Sequence, residues 1–210
     1  MSNETDDIKT SADAADRLDG VVIPAGYQCI VADPPWDYKT PGQIGKTLKH
    51  RPNRDEGESK HGAGSVARYG AMSMDELKAM PVEGLAADNA HLYLWVTNGF
   101  MEQAYPLARA WGFEPKTIIT WTKTRKADGQ PSMKMGYYYR GATEHVLFCV
   151  RGSMRLQGSA APTAIFAPRL RHSQKPEEFY SLVDEQTPGP RLELFSRKLR
   201  AGWVAWGNEV

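Results

Sequence analysis

Short apolar runs separated by polar stretches set the rhythm of this 210-residue chain. Cys29-Ile30-Val31-Ala32 is continuously apolar, which marks a buried strand over 28–33. Similar runs predict strands at 90–96, 116–122, 144–150, 191–195 and 203–206. Helical spacing intervenes. Ser73 is placed to cap a helix reaching about Met80, with Asp75 and Glu76 in its first turn. Asn98 begins a second helix running to about Trp111, and Gly112 stops it. Pro176 opens a third, with Phe179, Tyr180, Leu182 and Val183 on its apolar face, ended by Thr187-Pro188-Gly189-Pro190. Alternating strands and helices predict an α/β fold, a central sheet with helices on both faces. In such sheets ligands bind outside the carboxyl ends of the strands. Asp33 and Phe195 both stand at such ends, on one rim.

Composition narrows the class. The length suits one domain with a proper core. No apolar run of membrane-spanning length and no leader pattern occurs, so a cytoplasmic protein is expected. Cys29 and Cys149 lie inside predicted strands and read as buried free thiols. Scattered histidines and the lack of a CxxC argue for no metal site. Net charge is only +1, yet it is unevenly spread. Residues 1–19 carry six acids and two bases and are expected to be a disordered arm ahead of a single domain over 20–210. Bases outnumber acids seven to three over 38–70, six to one over 116–140 and five to none over 151–175. A solvated face explains any one such run. Three together fit a phosphate-backbone footprint.

Asp33-Pro34-Pro35-Trp36 carries the most specific chemistry. Proline fixes its own φ and extends the residue before it, so the Pro34 carbonyl is held beside the Asp33 carboxylate. Two acceptors next to a flat ring suit a planar base bearing an NH2 group. Both could bond the amino hydrogens as that nitrogen attacks an electrophilic methyl. Trp36 would stack on the base. The bland alternative is a strand-ending turn with an Asp cap and a packed Trp.

The tetrapeptide resembles the signature of amino-group nucleic-acid methyltransferases, and its Trp resembles the MT-A70 family. The resemblance continues through Leu92–Asn98, Ile119–Thr124, Gly136, Glu144-His145, Val150-Arg151-Gly152, His172–Pro176, Leu192–Arg197 and Gly207-Asn208-Glu209. It implies a Rossmann-like S-adenosylmethionine-dependent methyltransferase fold with a mostly parallel sheet and permuted motif order. The implied activity is methylation of the 6-amino group of adenine. DNA is the preferred substrate, with RNA, or a non-catalytic nucleic-acid-binding partner subunit, as the alternatives. A homo- or hetero-oligomer is left open. The catalytic set is Asp33, Pro34, Pro35 and Trp36. Cofactor contacts fall on Asp33, Pro34, Lys175, Phe195, Arg197, Asn208 and Glu209, with Lys175 on the cofactor carboxylate. Weaker target-pocket candidates are Tyr38, Tyr69, Lys123, Tyr137 and Glu144. No GxGxxG is present, which suits a sulfonium cofactor without a pyrophosphate.

Two departures stand out. Lys198-Leu199-Arg200 follows Arg197 where the mRNA-type enzymes have Pro-His-Asn, which leaves one ribose contact unmatched. The connection over 38–70 is long and glycine-bearing, and is expected to be a mobile basic lid. A second long loop, 123–140, interleaves aromatics and bases in a way that suits unstacked nucleotides. Tyrosines packed on a sheet edge are its plainer reading.

Overall fold

The computed structural model describes residues 16–18, 21–37, 71–133, 138–170 and 174–207. Strand β3 (Tyr27–Ala32) lies near the middle of a seven-stranded sheet. It is flanked by β4 (Ala86–Val96) and β8 (Arg191–Leu194), both parallel to it, with Val31 opposite Tyr93 on one side and Glu193 on the other. Beyond β8 runs β9 (Trp203–Trp206), also parallel. Beyond β4 comes β6 (Thr143–Arg151), antiparallel to both β4 and the next strand, β5 (Glu114–Thr124). Parallel to β5, β7 (Ala164–Pro168) forms the edge. The order is therefore β7-β5-β6-β4-β3-β8-β9, and β6 alone among the seven is reversed. The carboxyl ends of six strands and the amino end of β6 share one rim.

Side-chain alternation divides the core into two layers. Ile30, Ala32, Leu92 and Leu94 face helices α1 (Met74–Ala79), α2 (Val82–Leu85) and α3 (Met101–Ala110). Cys29, Val31, Tyr93 and Trp95 face α4 (Glu177–Gln186) through Phe179, Tyr180 and Val183. Helices on both faces and a mostly parallel sheet match the expected α/β architecture. A capping box explains where α1 starts: Ser73 Oγ accepts from the Glu76 N–H, and the Glu76 carboxylate accepts from the Ser73 N–H at 2.7 Å. The Trp111 indole N–H then donates to the Leu77 carbonyl at 2.8 Å, tying α1 to the end of α3. Burying side chains such as Leu77 and Leu107 stabilises this layer by about 1.5–3 kcal/mol each. Both cysteines are buried and free, as expected.

Elsewhere the fold departs from the sequence reading. Asp16–Leu18 (β1) pairs antiparallel with Val21–Ile23 (β2), so the end of the supposed disordered arm is a hairpin. The β-branched run Val21-Val22-Ile23 supplies its partner, and the intervening Asp19-Gly20 is a strong hairpin signal in sequence. The predicted helix from Asn98 begins as a 3-10 turn (Asn98–Phe100) before α3. The loop expected over 123–140 falls between the end of β5 at Thr124 and the start of β6 at Thr143. Arg125–Gln130 is a compact turn closed by Gly129 N–H to Arg125 C=O at 3.0 Å and Arg125 N–H to Gln130 C=O at 2.8 Å. Gly129 takes the left-handed φ of 68° that this turn requires. The proposed lid over 38–70 lies outside the described residues.

Candidate functional site

Four charged side chains meet on the α4 side of the rim. Lys175, two residues before α4, bridges Asp33 Oδ2 at 3.0 Å and Glu144 Oε2 at 3.1 Å. The other oxygen of Glu144 accepts from Lys123 Nζ. Topology explains the meeting. Asp33 follows the end of β3, Lys123 is near the carboxyl end of β5, and Glu144 is near the amino end of the reversed strand β6, opposite Trp121. The floor is aromatic: Lys175 Nζ stands 4.5 Å over the Trp95 ring and Lys123 Nζ 5.0 Å over Trp121, with the two indoles edge to face.

The electrostatics are those of a chain of alternating charges. Burial alone pushes the Glu144 carboxyl up, but the Lys175 and Lys123 ammoniums outweigh it and bring it down to about 2. Burial works against a charged Lys175, yet Asp33 and Glu144 hold it above the usual lysine range. Glu144 and Lys175 are therefore both charged at neutral pH.

A fifth group escaped the sequence reading. Glu193 on β8 points to the same side and is largely buried. Tyr180 donates its hydroxyl to Oε1 at 2.5 Å and Ser196 donates to Oε2 at 3.2 Å. Burial pushes its carboxyl up and the nearby Asp33 carboxylate pushes the same way, against the hydrogen bonds from Tyr180 and Ser196. The Arg200 guanidinium lies 3.6 Å over the Tyr180 ring and is bonded to Glu177 at 2.8 Å, which braces this side. An acid interrupting the apolar run Leu192–Phe195, beside a strand ending in Asp, was the available signal.

The Asp-Pro-Pro-Trp segment is rigid. Pro34 and Pro35 are both buried, and the Trp36 N–H returns to the Pro34 carbonyl at 2.9 Å, leaving that oxygen its second lone pair. The Met72 N–H bonds the Pro35 carbonyl at 3.0 Å. Trp36 itself corrects the expectation. Its ring is only 4% exposed, stacks on Phe100 at 5.4 Å, and donates its indole N–H to the Trp95 carbonyl at 3.3 Å. The tight turn rotates it into the core, where it supports the loop and offers no face to a base.

Phe195 follows β8 with a left-handed φ of 61°, its buried ring edge-on to Trp206 at 5.5 Å. Strain of this kind in a non-glycine residue costs about 1–3 kcal/mol and gathers at functional sites. Arg197 is half-buried two residues on. The structure thus brings Asp33, Pro34, Lys175, Lys123 and Glu144 together and places Phe195 and Arg197 after the neighbouring strand. Tyr38, Tyr69, Tyr137, Asn208 and Glu209 lie outside the described residues. The basic stretch 151–175 divides between the two rims. Arg151 ends β6 at the opposite rim, donating to the Glu83 carbonyl at 2.6 Å, and Arg155 follows it there. Arg169 comes just after β7 on the site rim. Among the described residues no cluster of metal-ligating side chains occurs and no helix is long and apolar enough to cross a membrane.

This sheet order, with a proline-locked acid after its central strand and the Phe195 turn beside it, defines a Rossmann-like methyltransferase fold. The chain belongs to the MT-A70 family, whose model matches residues 27–209. It is 29% identical to the Type II methyltransferase M.MunI of Mycoplasma sp over 188 residues, 88% of this chain and 78% of that protein. It is 28% identical to a putative N(6)-adenosine-methyltransferase MT-A70-like protein of Medicago truncatula, covering 88% of this chain and 26% of the relative. With the human N(6)-adenosine-methyltransferase catalytic subunit METTL3 the identity is 27%, over 90% of this chain and 29% of the relative. The chain thus spans most of the first relative and under a third of the other two.

Proposed function

We propose that this chain, as a single catalytic domain, methylates the 6-amino group of adenine in DNA, using S-adenosylmethionine. The carrying observation is the Asp33 carboxylate, fixed by Lys175 at 3.0 Å and set beside the immobilised Pro34 carbonyl.

The residues fit a sulfonium amino-acid cofactor. Asp33 and Glu193 offer negative charge toward a cationic ligand, and Lys175 offers an ammonium to its carboxylate. Phe195 and Arg197, after the neighbouring strand, are assigned to the nucleoside half, and Asn208 and Glu209 are expected to bond its ribose and adenine. When bound, this cofactor supplies an electrophilic methyl group on a positively charged sulfur. Asp33 and Pro34 then accept the two N–H hydrogens of the target amino group. They favour the pyramidal, electron-rich nitrogen over the flat, delocalised one, and such preorganised acceptors are worth about 2.7–4 kcal/mol each. The nitrogen becomes cationic on attack and loses its proton readily, with Asp33 the nearest acceptor, so no strong base is needed. Glu144, paired with Lys123, braces Lys175, and both are assigned to the target side in this reading.

DNA is favoured by the extensive length match to the Type II methyltransferase. Near-equal identity to the adenosine-named relatives favours RNA as the second reading. Labelled methyl transfer to matched pools of duplex DNA, single-stranded DNA and RNA, with nucleoside analysis of the product, tests both. N6-methyladenine in a DNA pool is the expected result. Label in RNA alone moves the substrate to RNA. Cofactor binding without transfer to any pool overturns the catalytic reading in favour of a platform subunit.

A further inference from the structure

The segment joining β5 to β6 carries side chains for which the charge chain has no use. Tyr138 and Tyr139 are 80% and 91% exposed, and Met133 before them is exposed as well. The other tyrosines whose burial stands out, Tyr27, Tyr93 and Tyr180, are packed in the core. Two consecutive tyrosines this exposed cost solvation of apolar surface and require a reason.

Their position supplies one. Both arms of the segment close on Lys123: the Ser132 N–H donates to its carbonyl at 2.7 Å, and its own N–H donates to the Ala142 carbonyl at 2.8 Å. Tyr139 is three positions before Ala142, so its backbone lies within about 11 Å of that anchor. Lys123 in turn is paired with Glu144. The tyrosines are thus tethered at the mouth of the proposed target pocket. The surrounding charge is positive. Arg125, Lys126 and Arg140 are exposed, and the single acid of the stretch, Asp128, is bound to Arg125 and to the Gln130 N–H.

Exposed aromatic faces beside guanidinium and ammonium groups match bases joined by phosphates. A base offers its face only where it is unpaired, because a duplex hides it in the stack. Groove reading needs a helix or two-stranded ribbon that enters the groove, whereas these tyrosines sit on a bend. We infer that Tyr138 and Tyr139, with Arg140, form a stacking platform for unpaired nucleotides flanking the target adenine. This rests on the methyltransferase reading above and adds the strand state that the protein engages.

The test compares the wild type with Tyr138→Ala/Tyr139→Ala and Tyr138→Phe/Tyr139→Phe. Each is titrated, with S-adenosylhomocysteine present, against a labelled strand of about 12 nucleotides holding one adenine, and against the same strand as a duplex. Methyl transfer to that strand is measured in parallel. The wild type is expected to bind the unpaired strand at least about tenfold tighter than the duplex. The alanine pair should lose that preference and the phenylalanine pair should keep it. Equal affinity of the wild type for the two forms overturns the platform, as does an alanine pair that binds like the wild type. A change in sedimentation of the alanine pair assigns the tyrosines to a protein interface and overturns it too. Absence of all nucleic-acid binding and transfer overturns both readings, while transfer without strand preference overturns the platform alone.

Discussion

The two halves of the rim are built on opposite plans. Around β3 and β8 the elements are parallel and covered on both faces, and the loops after them are buried and stiff: two prolines, Trp36 under them, Phe195 in a left-handed turn. Around β5, β6 and β7 the strands include the reversed one, and the edge leaves Phe166, Tyr138, Tyr139 and Met133 exposed. A ligand of one fixed chemical structure can be met by a rigid half. A polymer whose sequence varies is better met by exposed, adaptable side chains. The chain of charges from Asp33 to Lys123 is the seam between the halves.

Substitutions can break that contrast. The largest effect is expected at Asp33. Asp33→Asn should lower the rate of methyl transfer about 10²–10³-fold with little change in thermal midpoint, because Lys175 keeps Glu144 as a partner. An unfolded Asp33→Asn protein would mean that the acid is structural. Next comes Trp36→Ala, which should cost about 3–5 kcal/mol in denaturant unfolding, as removal of a core aromatic does. Normal stability with lost nucleic-acid affinity would restore Trp36 as a base platform.

At the seam, Glu144→Gln removes the carboxylate that Lys123 pairs with, while Lys175 keeps Asp33, and should cost about 3 kcal/mol, the lower end for breaking a buried pair. Its pH signature is specific. The folded carboxyl sits at about 2, below its ordinary 4.5, so its stabilisation is present above pH 4.5 and is lost as pH falls toward 2. Urea midpoints measured across that window should drop steeply for the wild type and more gently for Glu144→Gln. Parallel curves would remove Glu144 from the chain. The smallest effect is local: Ser73→Ala should cost about 1 kcal/mol by opening the capping box, with transfer unaffected.

Much of this architecture was legible in the residues. Continuous apolar runs identified β3, β4, β6, β8 and β9, and Ser73 with Glu76 marked α1, because those signals are local. Strand β7 was not read, since Pro162 and Pro168 bracket a five-residue edge strand and prolines weigh against one. Trp36 was misjudged because its partner, Phe100, lies far along the chain, and nothing near residue 36 reveals that a ring waits there. Asp33 was named from the chemistry of its tetrapeptide, and Lys123, Glu144 and Lys175 from resemblance. That they form one ionic chain depends on strand register, which brings Glu144 opposite Trp121. Glu193 was passed over because alternation made its segment look like ordinary core.

The pairing of β3 with β8 also has a meaning in time. Val31 and Glu193 are neighbours across roughly 160 residues of chain, whereas β5 meets β6 across a connection about a tenth as long. Closure of so long a loop is entropically slow, and parallel pairing offers no hairpin to begin from. During synthesis the strands and helices up to α4 can assemble while one edge of β3 is still bare. That edge, apolar through Cys29–Ala32, is a template for wrong partners until β8 arrives. The order of motifs therefore delays the proposed cofactor pocket until β8 has been made, and leaves the apolar central strand waiting for it.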